Sequence, residues 1–178
     1  MKLNILCIGD IVGRPGRRII GEKLKPLVRQ LEVDCVIANA ENAAGGSGLT
    51  PQIYEKLLRN GVNLITLGDH TYRKRGIIPT LETEDNIVRP ANFSERAAGK
   101  SVAFYRTNKG PVVAVVALIG RLFMKPGDCP YSAVDKILPR QKHQHSFRDL
   151  PVLEIRFILT EISMSKFPIM RILILQKA

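Results

Sequence analysis

Ile37-Ala-Asn-Ala-Glu41-Asn42-Ala-Ala-Gly-Gly-Ser-Gly48 is the stretch on which the fold turns. The aliphatic run that enters it, Cys35-Val-Ile-Ala, stops at an acid and an amide and then gives way to small residues and glycine. Two other strand-like runs finish the same way: Leu3-Asn-Ile-Leu-Cys-Ile-Gly-Asp10 and Leu64-Ile-Thr-Leu-Gly-Asp69-His70. In an open α/β sheet the ligand crevice lies outside the carboxyl ends of the strands. Three apolar runs ending in oxygen and imidazole donors therefore predict that Asp10, Glu41, Asn42, Asp69 and His70 converge.

Working outward, residues 3–8 are β-rich and predict a first strand ending at Asp10. Residues 11–16 follow as a loop with two glycines, Gly13 and Gly16, which let backbone approach a ligand closely. This loop is neither a Walker phosphate loop nor a dinucleotide fingerprint, so an ordinary Rossmann-type nucleotide binder is disfavoured. Ile20, Leu24, Leu27 and Leu31 repeat at helical spacing, and Pro26 within them predicts a kink or a late helix start. The second strand is read as Cys35 to Asn39. Thr50 as N-cap and Pro51 at the first helical position open a second helix, with Tyr54, Leu57 and Leu58 as its stripe and Gly61 just past its end. A third strand spans Val62 to Leu67.

The order β-α-β-α-β suits parallel pairing through short crossovers. A looser helical segment at about 74–81 leads to Ile87-Val-Arg89-Pro90. Ser101 to Arg106 and Val112 to Leu118 then read as a hairpin turned at Asn108-Lys109-Gly110. The fold class is therefore α/β with a mixed sheet flanked by helices. Beyond Pro139 the pattern changes, and two regions are expected: an α/β domain over 1–140 and an atypical tail over 141–178. Within the tail, Ile169 to Leu175 has the composition of an edge strand or an aggregation-prone one.

The chain has 178 residues, enough for one domain with a sizeable core. Its 45% hydrophobic and 24% charged content is ordinary for a globular protein. The N-terminal apolar run is too short for a signal peptide, and no run is long enough for a membrane helix, so a cytoplasmic protein without membrane contact is expected. Cys7, Cys35 and Cys129 lack CxxC spacing; Cys7 and Cys35, inside strand-like runs, read as reduced buried thiols, and Cys129 is uninformative. A net charge of +11 favours polyanionic partners, RNA or phosphate-bearing substrates among them. Yet the cations are scattered along helix-like faces without an arginine-rich block or RNA-binding aromatic motif, as an ordinary solvated basic surface would also have them.

The donor set has a chemical logic. Iron, manganese and magnesium ions accept carboxylate and amide oxygens, and imidazole suits the transition metals. Two-metal hydrolases hold their ions about 3.5–4 Å apart, which calls for a bridging carboxylate with separate ligands on each side. Glu41, from the middle run, is the natural bridge; Asp10 and Asn42 could complete one ion and Asp69 could serve the other. His70 is placed either as general acid or as a further ligand. Singly, each has a structural reading: Asp10 capping a turn, Asn42 satisfying loop backbone, Asp69-His70 forming a surface turn. Glu41 resists one, because a half-buried acid needs a partner. Arg14 and Arg89 could grip phosphate in bidentate fashion or be ordinary surface arginines. His143-Gln-His145 could bind metal, or be a solvated feature of the tail.

With these residues in place, the chain resembles the YmdB-like metallophosphoesterases, a branch of the calcineurin-like superfamily. The resemblance rests on Ile8-Gly-Asp10-Ile-Val-Gly-Arg-Pro-Gly16, on Asn39 to Thr50, on Leu67-Gly-Asp69-His70-Thr71, on Val88 to Phe93, and on Gly120-Arg121 with Phe123-Met124. It covers about residues 1–140. It implies a mixed-sheet α/β sandwich, a dinuclear iron or manganese site, and hydrolysis of phosphodiesters such as 2′,3′-cyclic nucleotides. It further implies Asp10 and Asn42 on the first metal, Glu41 bridging, Asp69 on the second metal, His70 as proton donor, and self-association into a homo-oligomer.

Two features depart from the family pattern. Asparagine is usual where this chain has Asp69, and the extra negative charge is expected to bind a cation more tightly and lower its Lewis acidity. Family members also supply three further metal-binding histidines beyond the point where the resemblance stops, after Leu138-Pro139-Arg140. A truncated or frameshifted reading frame is the expectation there. With it comes the alternative of a catalytically impaired homologue that binds nucleotides or RNA, unless His143 and His145 act as substitutes.

Overall fold

The computed structural model describes residues 3–121, 127–144 and the strand at 173–177. Strands β1 (Ile5–Asp10), β2 (Cys35–Asn39), β3 (Leu64–Thr66) and β4 (Ile87–Val88) pair in parallel in the order 1-2-3-4. Helix α1 (Gly13–Gln30) crosses from β1 to β2, α2 (Pro51–Arg59) from β2 to β3, and a 3₁₀ turn (Arg75–Ile77) with α3 (Ile78–Thr83) leads to β4. All three crossovers are short, so the strand ends that carry functional groups stay side by side.

The hairpin forms from β5 (Val102–Arg106) and β6 (Val112–Val116), near its predicted bounds. It does not extend the parallel sheet. Among the described residues the strands form two sheets: the parallel one, and an antiparallel one in which β7 (Leu173–Lys177) pairs with the far side of β6. Parallel and antiparallel pairings thus sit in separate layers, linked by one bridge between Pro90 and Ala117. β7 gives part of the 141–178 region a place as an edge strand. Helix α4 (Pro130–Gln144), which sequence periodicity did not reveal, packs Ala133, Val134 and Ile137 near Val116 and Leu118 and runs past residue 140.

The near-continuous apolar strands follow from this layering, because parallel strands covered on both faces need no polar side. Alternate residues serve opposite cores. Leu6, Val36, Ala38, Ile65 and Ile87 face the helix layer, beside Ile20, Leu24, Tyr54 and Leu57. Ile5, Cys35, Ile37, Leu64 and Val88 face the second sheet, beside Ala103, Val113 and Val115. Cys7, Cys35 and Cys129 are free thiols, and burial pushes the Cys35 thiol up to about 12.

Two expectations about α1 are corrected. Residues 13–16 are its first turn rather than loop, since Gly13 takes φ +53° and turns the chain directly out of the strand. Pro15 is tolerated so close to the start because the first N–H groups of a helix have no intrahelical partner. Pro26 does not mark a late start either; it lies inside the helix on its exposed side, where water can satisfy the carbonyl it leaves unbonded.

Candidate metal centre at the strand ends

The five donors meet. Backbone bonds lock the strand ends in step: Ile11 N donates to Asn39 O at 3.0 Å, and Ala40 N donates to Thr66 O at 3.1 Å. The register between β1 and β2 slips between Ile8 and Asp10, so Asp10 pairs with Asn39 across an irregularity. Such irregularities re-aim side chains near sites. Asn42 Nδ2 donates to Asp10 Oδ2 at 2.7 Å, and Asn42 Oδ1 lies 2.6 Å from His70 Nδ1. With its NH₂ committed to the carboxylate, Asn42 can only accept from His70, which places the imidazole proton on Nδ1. His70 Nε2 then faces Asp69 Oδ2 at 3.5 Å.

Glu41 occupies the middle, 7% exposed. Its Oε2 accepts from the backbone N–H of His70 at 3.4 Å, while its own N–H donates to the Asn39 side chain at 3.1 Å. Burial, with the negative charges of Asp69 and Asp10 adding to it, pushes its carboxyl up to about 7. Donor atoms of Glu41, Asp69 and His70 all lie within 4.8 Å of one another. Among the described residues nothing hydrogen-bonds Asp10 Oδ1, which is buried. Three carboxylates crowded together, one of them with an orphaned oxygen, make a site whose electrostatics call for a cation.

Several contributors escaped the sequence reading. A Cβ at Gly68 would collide with Glu41 Oε2 and come within 2.7 Å of its Cδ, so only glycine admits the carboxylate there. Thr71 closes the turn that presents Asp69 and His70: its Oγ1 donates to Gly68 O at 2.6 Å and its N–H to the same oxygen at 3.2 Å. Arg17 Nη1 donates to Ala43 O, tying α1 to the loop that carries Glu41 and Asn42. The glycine between Leu67 and Asp69 was the visible signal for the first of these; the other two had none.

Arg14 lies exposed in the first turn of α1. Arg89 is buried, its Nε donating to Ala97 O at 3.1 Å and its Nη1 to Pro90 O at 2.9 Å. It lines a separate cavity of about 300 Å³ with Phe93, Cys129 and Ser132, and none of the five donors borders that space. Its guanidinium is engaged in holding the 90–97 loop. His143 falls near the end of α4, and His145 lies outside the described residues.

A family model described as YmdB-like protein matches residues 6–153. A 2′,3′-cyclic-nucleotide 2′-phosphodiesterase of Bacillus subtilis (strain 168) is 40% identical over 136 residues, 76% of this chain and 51% of that protein. A crystal structure of a hypothetical protein from Thermus thermophilus superposes with a TM-score of 0.70 at 38% identity, covering 76% of this chain and 52% of that one. A crystal structure described as a novel phosphatase, from Mycoplasma pneumoniae, gives a TM-score of 0.72 at 28% identity, covering 79% and 52%. The chain spans about half the length of each of these three.

Proposed function

The chain belongs to the YmdB-like family, and from that membership we propose that it is a metal-dependent phosphodiesterase acting on 2′,3′-cyclic nucleotides. The observation that carries the reading is the packing of Glu41, Asp69 and His70 donor atoms within 4.8 Å of one another, next to a buried Asp10 oxygen without a partner among the described residues. The Bacillus subtilis relative's name supports the substrate class.

The residues fit a divalent cation fully and begin the shell of a second. Asp10 and Asn42 would hold one, Asp69 the other, and Glu41 both; oxygen donors with one imidazole nearby suit manganese or iron. Bound there, the cations supply Lewis acidity toward the phosphoryl oxygens and offset the charge that develops on them.

The protein's own groups do the rest. Asn42 holds His70 by Nδ1, leaving Nε2 as the nitrogen that carries the transferable proton. Asp69 Oδ2, 3.5 Å away, orients that nitrogen toward the departing ribose oxygen, to which His70 would pass its proton. Gly68 and the His70 N–H fix the Glu41 carboxylate in the orientation that serves both sides of the site.

Hydrolysis of bis-p-nitrophenyl phosphate with added Mn²⁺ tests the assignment. Wild-type protein should turn it over, and D10A and E41A should each abolish turnover. Undiminished hydrolysis by both variants would sink the reading.

A further inference from the structure

Charge is sorted by depth around the strand ends. The floor of the site holds three carboxylates: Asp10, Glu41 and Asp69. The three segments that rise from it, residues 11–21, 42–54 and 70–81, contain no acid, and the first acids beyond them, Glu22, Glu55 and Glu82, lie between one and three helical turns into α1, α2 and α3. They carry six cations: Arg14, Arg17, Arg18, Arg73, Lys74 and Arg75.

Two of the six are engaged within the fold. Arg17 donates to Ala43 O, and Arg18 lies 3.9 Å from Glu22 along α1. Arg73, Lys74 and Arg75 are consecutive and exposed, and among the described residues no carboxylate pairs with them. Their position is fixed against the site from two directions. The Arg73 N–H donates to His70 O at 3.1 Å, within one turn of the proton donor. Gly48, at the far end of the Glu41–Asn42 loop, packs so closely that a Cβ there would lie 2.8 Å from Lys74 Cγ and 3.1 Å from Arg73 Cβ.

A cyclic mononucleotide carries a single phosphate, which the floor already accommodates. Three further cations beside His70 have no anion to meet on such a substrate. A strand of RNA ending in a 2′,3′-cyclic phosphate has both: a cyclic phosphodiester for the floor and a row of upstream phosphates. Building on the phosphodiesterase reading, we propose that Arg73, Lys74 and Arg75 form a track for the phosphates of an RNA strand whose terminal cyclic phosphate enters the metal centre. In the reaction, water oxygen forms a new bond to phosphorus and the bond from phosphorus to O2′ breaks. O2′ takes up a proton, and the products are a 3′-phosphate end and a free 2′-hydroxyl.

The test uses the whole chain with Mn²⁺ and two probes: a nucleoside 2′,3′-cyclic monophosphate and a short oligoribonucleotide ending in a 2′,3′-cyclic phosphate. The variants are R73A/K74A/R75A and the charge-keeping R73K/R75K. On the oligonucleotide, log(kcat/KM) for the wild type should fall with log[salt] at about 0.7 per contacted phosphate, or roughly 2 for three contacts. The alanine variant should flatten that slope and lose about tenfold or more in kcat/KM at low salt. It should leave the mononucleotide unchanged, and R73K/R75K should keep the wild-type slope.

Equal losses on both probes, or no loss on the oligonucleotide, would overturn the track. So would competition by polyglutamate as effective as that of unreactive RNA of matched charge, since the surface would then suit an acidic protein. Failure of the wild type to hydrolyse either probe would remove the phosphodiesterase reading and the track with it. Hydrolysis of the mononucleotide alone would remove only the track.

Discussion

Glu41 is the residue at which fold and chemistry pull against each other. Its folded-state carboxyl titrates near 7, raised from an ordinary 4.5 chiefly by burial. A raised acid stabilises the fold while protonated. That contribution is complete below about 4.5 and is lost as pH climbs through about 7. In chelator, the protein should therefore lose stability as pH rises through this window. Glu41→Gln should remove that slope from thermal unfolding curves; an unaltered slope would place the titration elsewhere. Gly68→Ala tests the same carboxylate from outside. Its Cβ would displace Glu41 Oε2, and Mn²⁺ affinity should drop roughly 10–100-fold in calorimetric titration while the circular dichroism spectrum stays intact. At this scale the sequence was informative where an acid or amide interrupts an apolar run. It was silent on Asn42 as the link between Asp10 and His70, because bonds between side chains 28 to 32 residues apart leave no local pattern. Arg89 shows the opposite limit: its spacing cannot tell a phosphate ligand from a guanidinium buried against backbone carbonyls.

Among the elements, α2 was the most legible, because its signals are local. Thr50 accepts from Ile53 N at 3.4 Å, Pro51 follows it, and Tyr54 and Leu57 turn inward as spaced. Leu57, 1% exposed, should cost about 2–5 kcal/mol when cut to alanine, and Thr50→Ala about 1 kcal/mol, both read from chemical denaturation. A loss for Leu57→Ala no larger than that of an ordinary surface substitution would mean that α2 does not seal the helix-side core. The start of α1 was misread because Gly13 and Gly16 look like loop punctuation; here one turns the chain and the other makes room for Ile11. α4 was missed because few of its described side chains are buried and its last turns read as tail. The hairpin was found, but nothing local states which sheet a hairpin joins; the packing of β5 and β6 across β3 and β4 settles that.

For the molecule as a whole, two cores share one parallel sheet, and the donor-bearing strand ends sit at its rim. No helix among the described residues is long and apolar enough to cross a membrane. A cation that binds only the folded state should raise stability by about 2.7 kcal/mol at a hundredfold excess over its Kd. Thermal unfolding with and without Mn²⁺ should show the shift in the wild type and lose it in Asp10→Asn. A shift that persists in that variant would locate the ion away from the strand ends. The order of strands along the sheet was readable because each crossover is brief; the division into two sheets was legible only through the sandwich that the family resemblance implies, since it depends on contacts between distant segments.

Asp10, Glu41, Asn42, Asp69 and His70 all precede residue 71, and short connections join the strands that bear them. Closing short loops costs little chain entropy. During translation, these five residues are therefore made before the hairpin begins at Val102. Everything that the strand ends bring together is thus encoded in the first-made part of the chain.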